Sequence, residues 1–171
     1  QTAPVITSIP ANVTVSCASE VPAANDGAVV ATDNCSGTVT ITHNDVITPG
    51  SCVNRYSIAR TYTATDVCGN SSSQTQTITV DDQTAPVITS IPANVTVSCA
   101  SEVPAANDGA VTATDNCSGT VTITHADVVT AGNCPNHYTI ARTYTATDVC
   151  CNSSSQTQTI TVDDETAPVI T

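Results

Sequence analysis

Tyr56-Ser-Ile-Ala-Arg-Thr-Tyr-Thr-Ala-Thr-Asp66 alternates without a break, with Ile58, Arg60, Tyr62 and Ala64 on one face and small or polar residues on the other. A period of two over this length predicts a long, half-buried β-strand. Outward from it, Val67-Cys-Gly-Asn70 is a turn and Gln74 to Val80 a closing strand. Upstream, Val5–Thr7, Val13–Cys17, Ala28–Asp33 and Thr38–Thr42 read as short strands separated by turn-forming residues. Asp45–Ile47 reads as a short edge strand that Pro49-Gly50 ends. About seven short strands with frequent turns predict an all-β fold, a sandwich of two antiparallel sheets.

The decisive stretch returns 82 residues later as Tyr138–Asp148, and so does everything around it. Gln1-Thr-Ala-Pro-Val-Ile-Thr7 recurs at Gln83, and again with one change at Glu165; only nine positions differ between the two full copies. This period exceeds that of helical solenoids and suits one small domain. The expected organisation is residues 1–82, residues 83–164, and 165–171 as the start of a third repeat, the whole being a segment of a longer array. Near-identical tandem copies add length and valency rather than chemistry, which favours a structural or adhesive role over an enzyme.

Composition agrees. The chain lacks Leu, Phe, Met, Trp and Lys, and is rich in Thr, Val, Ile and Ala. β-branched side chains fit a pleated sheet and lose rotamer freedom in a helix. The net charge of −12, with only Arg55, Arg60 and Arg142 as fixed cations, excludes nucleic acid as a partner. No apolar run is long enough to insert into a membrane. No Ser-His-Asp set, paired glutamates or phosphate loop stands out, and His43, His125 and His137 have no acidic or thiol neighbour at ligand spacing. Without Lys, a Lys–Asn isopeptide cross-link is impossible.

Each repeat carries four cysteines at matched positions, Cys17, Cys35, Cys52 and Cys68, then Cys99, Cys117, Cys134 and Cys150. Small domains with modest cores need covalent support. Even counts in an exported-type composition point to disulfides, and no CxxC spacing supports zinc. Cys151 replaces Gly69 and is left over, an inter-chain link or a spectator thiol.

Val13-Thr-Val-Ser-Cys-Ala-Ser-Glu-Val-Pro22, Ala59-Arg-Thr-Tyr-Thr-Ala-Thr-Asp-Val-Cys-Gly-Asn70, Thr77-Ile-Thr-Val80 and Thr112-Ala-Thr-Asp-Asn-Cys-Ser-Gly119 together resemble the hyalin-repeat (HYR) family of tandem extracellular modules. The resemblance covers the whole repeat. It implies immunoglobulin-like sandwiches, an extracellular or cell-surface location, a role in adhesion or as a stalk, and no catalytic residues. Cysteines that a frequent bacterial version places near Ser8 and Gln74 are both absent here. Laid on an immunoglobulin-like topology, the four remaining cysteines pair as Cys17–Cys52 and Cys35–Cys68, with Cys99–Cys134 and Cys117–Cys150 in the second copy.

Calcium is the one cofactor the sequence suggests. Asp81-Asp82 ends the first repeat, and the next should present Asp115, Asn116 and Asp148 toward it; Asp33, Asp66, Asp163 and Asp164 mark equivalent junctions. Calcium accepts such irregular sets of oxygens. The competing reading is that these aspartates cap loops through backbone hydrogen bonds. Thr75, Thr77 and Thr79, with Thr157, Thr159 and Thr161, form exposed ladders open to O-glycosylation or simply suited to a wet strand face. Arg60 is expected to pair with Glu20. Seven of the nine differences fall in residues 44–57, a tolerant loop or a ligand-facing edge. The overall expectation is a stalk segment of a surface adhesin or filament, whose partners are neighbouring repeats of the same chain. The alternatives are a fibre subunit that contacts other copies through strand edges, and repeats that bind a glycan or protein ligand directly.

Overall fold

A computed structural model describes residues 2–35 and 37–170. The chain divides into two units, Gln1–Gln83 and Thr84–Thr171. The first contains β1 (Val5–Ser8), β2 (Val13–Val15), β3 (Val30–Thr32), β4 (Thr40–Cys52), β5 (Arg55–Thr65) and β6 (Ser71–Asp81). The second repeats them as β7 (Val87–Ser90), β8 (Val95–Val97), β9 (Thr112–Thr114), β10 (Thr122–Cys134), β11 (His137–Thr147) and β12 (Ser153–Asp163). Short 3-10 turns at Ala18–Glu20 and Asp26–Ala28, and their counterparts, fill the crossing from β2 to β3 and from β8 to β9.

In each unit a four-stranded sheet (β2-β6-β5-β4, or β8-β12-β11-β10) faces a two-stranded one (β1-β3, or β7-β9). This is the immunoglobulin-like sandwich, with six strands per unit among the described residues rather than about seven. The difference lies at β4. The segments expected as Thr38–Thr42 and Asp45–Ile47 are one strand, continuous in register with β5 from Thr40↔Thr65 to Pro49↔Tyr56. It passes Pro49-Gly50 through a bulge, rejoining at Cys52↔Arg55. The bulge needs glycine: a Cβ on Gly50 would lie 1.8 Å from the Arg55 carbonyl oxygen, and one on Gly132 2.0 Å from that of His137.

The opening strand changes sheets midway. β1 pairs with β3, the chain breaks at Ile9-Pro10, and β2 joins the other sheet. Proline cannot donate to a ladder, so it suits the crossing point. The core beneath is small: Ile6, Val29, Tyr62 and Ala64 are buried together, flanked by Ile9, Ala31, Val39 and Ile41. The second unit repeats this with Ile88, Val111, Tyr144 and Ala146. The alternation read in residues 56–66 holds, since Ile58, Arg60, Tyr62 and Ala64 are all buried.

Candidate functional site: the first-strand clamp and the stapled poles

β2 lies parallel to β6, with Val13↔Ile78, Thr14↔Thr79 and Val15↔Val80 in register, and β8 lies parallel to β12 in the same way. The first and last strands of each unit are therefore neighbours that run in the same direction. Side chains of the last strand extend this join well beyond the three paired residues. Ser72 Oγ donates to the Pro4 carbonyl, Gln74 Nε2 to that of Ile6 (3.1 Å) and Gln76 Nε2 to that of Ala11 (2.6 Å). The Thr77 amide donates to Asn12 Oδ1 at 2.8 Å. The second copy repeats all four through Ser154, Gln156, Gln158 and Thr159.

Ser72, Gln74 and Gln76 alternate on the face that carries Ile78 and Val80 into the core, and Gln76 is itself buried. Their role is to satisfy the Pro4, Ile6 and Ala11 carbonyls of the opening segment with side chains of the last strand. Sequence reading passed over this set. The signal was present: Gln-x-Gln at core-facing positions of a strand is polar where apolar residues belong. Asn12 thus uses its side chain in this clamp.

A second buried polar feature ties β5 to β4. Arg60 donates through Nε and Nη2 to the two carboxylate oxygens of Asp45, both at 2.8 Å, and through Nη1 to the Pro22 carbonyl at 2.9 Å. The guanidinium holds the Asp45 carboxyl below its ordinary value, and the carboxylate raises that of Arg60. Arg142 and Asp127 repeat the arrangement. The partner expected for Arg60 was Glu20. Asp45 wins because it stands directly opposite on the neighbouring strand, while Glu20 Oε2 accepts from the amides of Ser16 (2.9 Å) and Cys17 (3.0 Å). The histidines also have partners distant in sequence. His43 Nδ1 lies 2.8 Å from Asp26, His125 Nδ1 2.8 Å from Asp108, and His137 Nε2 3.7 Å from Asp163.

The disulfide-bonded cysteines are Cys17 and Cys52 in the first unit and Cys117 and Cys150 in the second. The Ala18 amide, donating to Asn54 Oδ1 at 3.2 Å, draws the turn after Cys17 to the hairpin after Cys52. Cys35, Cys68, Cys99, Cys134 and Cys151 are free thiols. The bridges Cys35–Cys68 and Cys99–Cys134 expected from sequence are thus open in this structure. Cys35 and Cys99 lie in exposed bends, whereas their bonded counterparts Cys117 and Cys17 are buried. Each open pair is the 82-residue counterpart of a pair bonded in the other copy. Cys151 has φ 69°, in the left-handed region where its counterpart Gly69 has φ 85°.

Most aspartates named as calcium ligands act as acceptors within their own unit. Asp66 Oδ1 accepts from the amides of Cys68 (2.8 Å) and Asn70 (2.9 Å), and its Oδ2 from Asn70 Nδ2 (2.7 Å). The Asn70 side chain foremost, then these amides, keep Asp66 below its ordinary value. Asp148 caps the equivalent turn through Cys150 and Asn152. Asp33 and Asp115 accept from the amides of Cys35 (2.8 Å) and Cys117 (3.0 Å). Asp33 and Asp66 line one cavity of about 120 Å³ together with Cys35, Cys68 and Asn70. Asp81 is held by Gln83 Nε2 at 2.6 Å and Arg55 Nε at 2.9 Å, which lower its pKa in that order. The main chain of Asp82 bonds to Asn54 and Arg55. Asp164 bonds through its amide to Asn136 and through its side chain to Thr166. Thr75, Thr77, Thr157 and Thr159 are exposed, and Thr79 and Thr161 half-buried.

A family model, the HYR-like domain with four cysteines, matches residues 5–80 and again residues 87–162. The chain belongs to this family. Each match spans β1 to β6, or β7 to β12, within one residue of the strand ends. A search of curated proteins finds no match. HYR-like tandems are extracellular adhesion-type modules rather than enzymes, and that class is the function of this chain at its coarsest. No helix among the described residues is long and apolar enough to cross a membrane.

Proposed function

We propose that the HYR-like tandem is a load-bearing spacer, a stalk segment of an extracellular surface adhesin or filament. The observation that carries this reading is the parallel pairing of β2 with β6. Tension entering a unit at its first strand and leaving at its last pulls parallel neighbours in opposite directions along their length. Their hydrogen bonds are then loaded together, in shear, instead of being opened one at a time. The Ser72, Gln74 and Gln76 bonds to the opening segment share that load. Small cores resist force poorly by themselves, and the disulfides limit how much chain a yielding unit releases.

In this reading the mature protein is fully oxidised within each unit, with Cys35–Cys68 and Cys99–Cys134 closed beside the other two bridges. Calcium enters this reading as a divalent partner for the aspartate carboxylates; calorimetric titration of the full chain with calcium should give a saturating heat, and a flat titration would remove calcium from the reading. Exposed threonines are the sites where glycans would add protection. The spacer itself is tested by single-molecule pulling of the full chain against the Gln76→Leu, Gln158→Leu pair. Loss of the clamp bonds should lower the unfolding force of both units. An unchanged force would show that the clamp carries no load and would remove the reason for calling the tandem a spacer.

A further inference from the structure

β4 and β10 are edge strands, each with one neighbour among the described residues, and they differ in a way that bears on what they can bind. The direction of their backbone groups follows from β5. The Asp82 amide donates to the Asn54 carbonyl, and that of Asp164 to Asn136, so even-numbered residues of β5 and β11 direct their backbone toward β6 and β12. Antiparallel strands alternate, so the odd-numbered residues bond to β4 and β10. Given the register, Ile41, His43, Asp45, Ile47 and Pro49 of β4 turn their backbone groups outward. The counterparts on β10 are Ile123, His125, Asp127, Val129 and Ala131.

A proline whose missing N–H faces outward is a device that blocks edge pairing. Pro49 occupies such a position in the first unit, and Ala131 removes the block in the second. Three more of the nine differences fall on the same strand, Asn44 to Ala126, Ile47 to Val129 and Ser51 to Asn133. Val128 and Val129 are 63% and 60% exposed. An unblocked edge of this length with apolar side chains is a template for another strand.

We infer that β10 pairs antiparallel with β10 of a second copy of this chain, about a two-fold axis at Ala126, whereas Pro49 keeps β4 unpaired. That register sets His125 opposite Asp127 twice, Ile123 opposite Val129 on the same face, and Thr124 opposite Val128 on the other. Ala126 meets its own copy at the closely spaced, non-hydrogen-bonded centre, where a small side chain fits. An axis one residue further along would set Asp127 against Asp127, so charge selects the register. The pairing is isologous and closes at two copies. It goes beyond the spacer reading, because it joins two tandems side by side whether or not either bears load.

The test is sedimentation velocity of the full chain in a Cys151→Ser background, with non-reducing electrophoresis of the same samples to show that no inter-chain disulfide contributes, and with hydrogen exchange read at single amides. A concentration-dependent dimer should form, and the amides of Ile123, His125, Asp127, Val129 and Ala131 should gain protection as it does, while those of Ile41, His43, Asp45 and Ile47 do not. Ala131→Pro removes one amide from each copy and should weaken the dimer about tenfold or more. The fold tolerates proline there, since the first unit has it. Pro49→Ala should create a second pairing edge and drive assembly beyond the dimer. Val129→Lys provides an independent disruption. A chain that stays monomeric up to about 1 mM, a dimer indifferent to both Ala131→Pro and Val129→Lys, or protection confined to other strands would each overturn the inference.

Discussion

The paired Arg60 and Asp45 permit a prediction with a built-in replicate. Asp45→Ala deletes two charge-assisted hydrogen bonds of 2.8 Å and leaves a guanidinium that is only 6% exposed facing a void. Stranding one member of a fully buried pair costs about 3–5 kcal/mol. Asp45 is itself 34% exposed, so water can replace part of what the carboxylate provided. The discounted cost is about 2–3 kcal/mol. For a unit of this size that lowers the melting temperature by roughly 10–20 °C. Arg60→Met keeps the buried stem and removes the charge, leaving Asp45 to solvent, and should cost only about 1 kcal/mol. The ordering, more than either value, identifies a desolvated cation that needs its partner. Denaturant unfolding followed by resolved amide signals from each unit measures it, and Asp127→Ala must reproduce the loss in the second unit. The two losses should add when combined. Arg60→Met costing more than Asp45→Ala, or losses under about 0.5 kcal/mol for both, would refute the reasoning. The same pair sets an acid limit. Because Asp45 and Asp127 titrate below their ordinary 3.8 when folded, the unfolded chain binds protons first. The stability they contribute is complete above that value and disappears as pH falls through the lowered one.

Other consequences are simpler to check. Cys151→Gly should stabilise the second unit by about 1 kcal/mol, because the left-handed backbone there suits glycine, and differential melting of the two units reads the change. Gly50→Ala should destabilise the first unit by more than about 2 kcal/mol, since its methyl group would meet the Arg55 carbonyl; an effect below about 0.5 kcal/mol would show that the bulge can relax. Peptide mapping of the secreted, unreduced protein should find Cys151 as the one free thiol of the nine, whereas five free thiols would mean that each unit holds only one bridge.

What the sequence made legible was the part encoded by local periodicity. The alternation through Ile58, Arg60, Tyr62 and Ala64 identified the central strand and its buried face, and the 82-residue repeat identified the module. Pairings between distant segments were less accessible. Arg60 was assigned to Glu20 for want of a register that places Asp45 across from it, and the same gap hid the contact of His43 with Asp26. Pro49-Gly50 looked like a break because a bulge and a break share the same residues; only the continuation at Cys52↔Arg55 tells them apart. Gln74 and Gln76 were overlooked for a different reason. A polar residue on a core face means little until the carbonyl it serves is known, and those carbonyls lie about 65 residues away in the chain.

The most direct measurement of a stapled, tension-bearing module is the length released when the native two-unit chain is pulled from its ends, with and without a reductant. Intact bridges hide the residues between Cys17 and Cys52, and between their counterparts, from the applied force. Two unfolding steps are expected, each lengthening by about 120 Å on reduction, from about 35 residues at full extension, and both requiring appreciable force because the first and last strands are loaded in shear. Steps of equal length in both conditions, or units that yield at negligible force, would contradict the spacer at its foundation.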